Sequence, residues 1–86
     1  MTWCQHLNGL CMLSLSNYKS ITAVPNSIGN LLYLWYLNLS HTEIETLPSE
    51  ICELYNLQFL LISGCKRLTN CGLYNLILLS ANIMVD

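Results

Sequence analysis

The sequence predicts an α/β solenoid: a short, curved parallel sheet with an irregular or short-helical convex side, wound about three to four times. Three observations predict it. Within Leu34 to Tyr55 the apolar period changes: Leu37 and Leu39 alternate as in a strand, and Ile44, Leu47, Ile51 and Leu54 then recur every three or four residues around Pro48. The stretch before it repeats the pattern, Leu10, Leu13, Leu15 and Ser16 matching Leu34, Leu37, Leu39 and Ser40, and Ile21, Val24, Pro25, Ile28 and Leu31 matching Ile44, Leu47, Pro48, Ile51 and Leu54. A third copy opens with Leu57, Leu60, Ile62 and Ser63 and runs to Leu68.

Self-similarity near 23 residues with leucines in these places is the signature of leucine-rich repeats. The units fall at about 10–33, 34–56 and 57–75, with a partial one at 76–86. Met1 to Gly9 shows no polar helix or hairpin of the kind that closes a solenoid, so the chain reads as if it started inside an array. In the first unit Leu13 and Leu15 point inward, Met12, Ser14 and Ser16 outward, because strand side chains alternate. Pro25 then fixes one φ and discourages a continuous helix. In the second unit the outward positions are Trp35 or Tyr36, Asn38, Ser40 and His41. Thr42 stands where its side chain can bond backbone groups as the chain leaves the strand, and Cys65 takes the same place one unit on. Tyr18, the equivalent in the first unit, fits poorly and weakens that ladder. The third unit loses its proline, and Leu76 and Leu79 are candidates to begin a fourth strand. The competing reading, a helical hairpin built on Leu31, Leu34 and Leu37, conflicts with two prolines in equivalent places and with the period-two continuation at Leu39 and Ile62.

Composition narrows the function. With 53% hydrophobic and 9% charged residues the chain is not disordered. Three basic residues at net charge −2 cannot neutralise several phosphates, which excludes nucleic acid as partner. The apolar stretch from Leu73 to Val85 is shorter than the roughly 20 residues of a membrane helix and is broken by Asn75, Ser80 and Asn82. Five cysteines, an odd number without a C-x-x-C pair, point to reduced thiols and a cytoplasmic setting.

No catalytic, cofactor or metal site is expected, and the chain is read as no enzyme. His6 and His41 lack a carboxylate and nucleophile nearby in sequence, and Cys4 with His6, or Cys65 with Cys71, would ligate a metal only by distant convergence. Glu43, Glu45, Glu50 and Glu53 read as a solvated convex rim. An exposed contact between them and the basic pair Lys66 and Arg67 would contribute little. The functional candidates are Met12, Ser14, Tyr36, Asn38, His41, Phe59 and Leu61, which the alternation places along one concave surface. Aromatic residues and methionine are enriched in protein interfaces, and solenoids bind through such curved faces.

In register, the tandem L-P-x-x-I-x-x-L elements, here Val24-Pro25 through Leu31 and Leu47-Pro48 through Leu54, stand beside the strings L-N-L-S-H-T and Ile62 to Thr69. From about Leu7 to Thr69 the chain resembles the leucine-rich-repeat region of plant intracellular nucleotide-binding leucine-rich-repeat disease-resistance proteins. Ile44-Glu45-Thr46-Leu47-Pro48 departs from the G-x-I-P form of extracellular plant receptors. The resemblance implies a protein-recognition module in defence. Its implied partners are a pathogen effector, a guarded host protein, or a switch domain of a longer chain. The phosphate loop G-x-x-x-x-G-K-[ST] does not occur, so nucleotide binding is not carried over. Open ends also imply self-association and marginal stability. The alternative is a truncated remnant without independent activity.

Overall fold

The computed structural model describes residues 2–6, 9–69 and 84–86. Five strands form one sheet in chain order: β1 (Thr2–His6), β2 (Gly9–Ser14), β3 (Tyr36–Asn38), β4 (Phe59–Leu61) and β5 (Met84–Val85). From β2 onward all neighbours are parallel, and Leu13, Leu37 and Leu60 lie side by side on successive rungs. The ladder runs past the strand ends: the amides of Leu15, Leu39 and Ile62 donate to the carbonyls of Asn38, Leu61 and Asp86 at 2.7–2.8 Å.

The returns over the convex side are copies of one another. Pro25 and Pro48 adopt the same extended conformation, φ −68° and −70° with ψ 153° and 154°, and each leads into a short 3-10 turn, Asn26–Asn30 and Ser49–Glu53. The carbonyls of Pro25 and Pro48 accept from Ile28 and Ile51, and those of Ile28 and Ile51 accept from Leu31 and Leu54. A proline has no N–H to give a helix interior, so a single tight turn forms where an α-helix would otherwise start. Asn56 clamps neighbouring returns by donating to the Leu32 carbonyl at 2.7 Å. Gly29 lets the two returns approach, since a Cβ there would meet Glu50 and Glu53 at 3.1–3.2 Å.

The interior is one apolar column. Leu34, Leu37, Leu39, Ile44, Ile51 and Leu60 are all at 0% exposure. The first coil is only partly covered: Leu13, Leu15, Ile21, Val24 and Ile28 line an open cavity of about 220 Å³ at its outer end.

Two expectations are corrected. An antiparallel strand, β1, pairs with the free edge of β2, so this edge does carry a hairpin partner, and Asn8-Gly9 is the turn signal between the two strands. Cys11 is disulfide-bonded, against the expectation of reduced thiols throughout. The antiparallel register, Trp3 opposite Met12 and Gln5 opposite Leu10, sets the Cys4 backbone opposite Cys11, a proximity that an odd cysteine count could not reveal. At the other end β5 pairs Met84 with Phe59 and Val85 with Leu60. The expected fourth strand at Leu76 and Leu79 lies outside the described residues. Among the described residues no helix is long and apolar enough to cross a membrane.

Candidate protein-binding face

The parallel register sorts the candidate residues into two rows. Met12, Tyr36 and Phe59 are direct partners across β2, β3 and β4, and Ser14, Asn38 and Leu61 form the row beside them. All six are half-buried, as one accessible side of a sheet should be, while the alternating Leu13, Leu37 and Leu60 face the core.

Trp35 joins Tyr36 on this face, where alternation offers one or the other but not both. It precedes β3, where its amide donates to the Cys11 carbonyl and its own carbonyl accepts from Gln58 and Phe59. Outside the regular strand it is released from alternation, and its ring packs edge-on against Tyr36 and Phe59 at centroid distances of 6.0 and 5.8 Å. Tyr36 and Phe59 stand 6.2 Å apart. Such pairs contribute about 0.5–1.5 kcal/mol each beyond burial, so the cluster holds its shape before any partner arrives. The Asn38 amide donates weakly to the Tyr36 hydroxyl at 3.4 Å, and its carbonyl oxygen accepts from the Ser40 amide at 3.0 Å.

That second bond explains a further correction. Ser40, expected to face outward, is 7% exposed. The strand ends at Asn38, whose side chain folds the next residues inward, and the Ser40 carbonyl accepts from the Asn17 amide. His41 lies beyond the sheet, on the rim. It has φ 60°, like Asn17 at 69° and Gly64 at 74°, so one left-handed turn recurs three residues after the ends of β2, β3 and β4. Its carbonyl accepts from Lys19 at 2.9 Å, and its imidazole covers Gly64. Gly64→Ala therefore faces both a left-handed backbone and the His41 ring. Urea titration should show a loss of about 1–2 kcal/mol from the backbone alone, with His41→Ala recovering only the steric part. Full recovery would contradict the backbone argument.

Behind the rim the polar ladder is buried. The Thr42 hydroxyl, at 0% exposure, donates to the Leu39 carbonyl at 2.8 Å. The Cys65 thiol donates to the same oxygen at 3.0 Å and touches the Thr42 hydroxyl at 3.6 Å. Tyr18 at the equivalent position is 44% exposed, so the ladder stops there. On the convex side Glu43 meets Arg67 at 3.8 Å, in an exposed pair of little energetic consequence. Burial, then the Glu53 charge, push the Cys52 thiol up from its ordinary value, which disfavours the thiolate. Among the described residues no three His, Cys, Asp or Glu side chains gather as a metal site requires.

These coils place the chain. The family described as leucine-rich repeat region matches residues 3–81. The chain belongs to the leucine-rich-repeat family. It is similar to repeat regions of plant disease resistance proteins. One candidate disease resistance protein of Arabidopsis thaliana is 52% identical over 62 residues, 72% of this chain and 4% of that protein. Another from the same plant is 35% identical over 95% of this chain and 10% of its own length. The chain thus spans a small fraction of the curated relatives it matches. Among solved structures, a leucine-rich-repeat protein of Leptospira interrogans superposes with a TM-score of 0.81 at 35% identity, over 93% of this chain and 20% of that one. The leucine-rich-repeat sheet is thus the scaffold on which the aromatic face is displayed.

Proposed function

We propose that this leucine-rich-repeat segment is a protein–protein interaction module of a plant immune receptor, acting in defence from the cytoplasm and carrying no enzymatic activity. One observation supports it above the rest: Met12, Tyr36 and Phe59, residues remote in sequence, are brought into one row on the accessible side of the sheet. Half-buried aromatic side chains on a rigid support desolvate on contact at little entropic cost, which is how binding hot spots form. The similarity to disease resistance proteins supports the defence role. A pathogen effector, a guarded host protein and a switch domain of the same polypeptide are the partners in view. Glutathione keeps cytoplasmic thiols reduced, so the bond at Cys11 would be open in that compartment.

Pull-down from plant extract tests the reading. Tyr36→Ala and Phe59→Ala should each lower capture of specific partners at least roughly tenfold. Tyr55→Ala, at an 82% exposed position away from this row, should leave it unchanged. Capture indifferent to both concave substitutions would favour a remnant without a partner. The open cavity at the first coil supports self-association as a second property of the isolated chain.

A further inference from the structure

The concave face carries an electrostatic bias that selects among protein partners. The rings of Trp35, Tyr36 and Phe59 form a nearly equilateral triangle with sides of 6.0, 5.8 and 6.2 Å. None is stacked on another: the interplanar angles are 68°, 68° and 48°. An aromatic ring has an electron-rich face, and a cation within about 6 Å of its centroid is attracted to it. A group resting about 3 Å above the middle of such a triangle lies inside that range of all three rings.

Among its described residues the protein brings no cation to this place. Its three basic residues are Lys19, Lys66 and Arg67. All follow the C-terminal ends of strands, whereas the aromatic trio stands where β3 and β4 begin. Lys19 is bonded to the His41 carbonyl, and Arg67 faces Glu43. An acidic residue stands on the next rung of the sheet. Asp86 continues the ladder beyond β5, donating to the Leu60 carbonyl and accepting from the Ile62 amide, and it falls two residues after Met84, the partner of Phe59. Alternation puts it on the same face.

We infer that the Trp35–Tyr36–Phe59 trio receives an arginine side chain of a protein partner, the guanidinium lying on the rings in a setting of negative charge. Arginine fits better than lysine: its planar group stacks on aromatic faces and is the more weakly hydrated of the two. This assignment rests on the concave-face reading above and gives it a partner chemistry. It also separates the trio from the half-buried Glu50 and the exposed Glu53, which would attract any cation without rings.

The test titrates the full chain with an eight-residue Arg-Gly repeat peptide, the same peptide with citrulline in place of arginine, and a Glu-Gly repeat, at physiological salt. Calorimetry gives affinities, and ring-proton chemical shifts give the place of binding. The arginine peptide should move the ring resonances of Trp35, Tyr36 and Phe59 and bind at least roughly tenfold tighter than its neutral citrulline counterpart. Trp35→Leu and Phe59→Leu should each weaken it roughly 3- to 30-fold, with the amide spectrum confirming that both variants fold, and Glu50→Gln should have no effect. Equal binding of the citrulline peptide at the same rings would overturn the arginine assignment and leave the concave-face reading standing. Shifts centred on Glu50 and Glu53, or no binding by the arginine peptide, would overturn the assignment too, and the pull-down then decides the broader reading by itself.

Discussion

Leu37→Ala is expected to cost about 2–5 kcal/mol, the range for emptying a fully buried leucine site. Leu37 is at 0% exposure on the middle parallel strand, flanked by Leu13 and Leu60. Both neighbours are fixed by ladder hydrogen bonds, so the backbone cannot close over the void. A domain of this size has only about 5–15 kcal/mol in total, so the variant should unfold at a much lower urea concentration or fail to fold. Urea titration followed by circular dichroism measures it. Leu32→Ala is the matched control: Leu32 is 51% exposed, and its truncation should stay within about 0.5 kcal/mol. Similar losses for the two would mean that the apolar column is not the source of stability.

Thr42→Val carries the second large effect, expected at about 1–3 kcal/mol. The substitution keeps the shape and removes the hydroxyl that serves the Leu39 carbonyl at 2.8 Å. The Cys65 thiol still reaches that oxygen, but a thiol is a weak donor. Thr42→Ser should retain most of the bond. Combining Thr42→Val with Cys65→Ala should be non-additive, because both groups share one acceptor. Additive losses would show that the two side chains act independently and that no ladder joins the coils there.

Much of this fold was legible because its signals are local and repeated. The spacing of Leu13, Leu37 and Leu60 gave the register, and the two prolines in equivalent places gave the matched 3-10 returns. Thr42 and Cys65 were readable as a ladder because a short polar side chain at a strand exit has few other uses in an apolar coil. What escaped was non-local or fell at an element boundary. β1 pairs antiparallel with β2 through a bend marked by Asn8-Gly9, but the mixed stretch before it shows no alternation that would mark a strand, and the bond at Cys11 was hidden with it. Ser40 turns inward because Asn38 captures its amide, a bond that alternation cannot anticipate. Trp35, an alternative to Tyr36 under strict alternation, enters the concave cluster beside it because it lies just outside the strand, where period two no longer binds it. The candidate row itself was predictable from alternation, whereas the ring geometry that gives it chemical character required coordinates.

Nuclear Overhauser contacts of Leu37 test the central claim most directly. Stacked parallel coils predict that Leu37 shows contacts to both Leu13 and Leu60, 24 residues before it and 23 after it in the chain, and that Tyr36 sees Met12 and Phe59 in the same way. A ladder of contacts three and four residues apart through Leu31, Leu34 and Leu37, without those long-range partners, would contradict the solenoid and the binding face built on it.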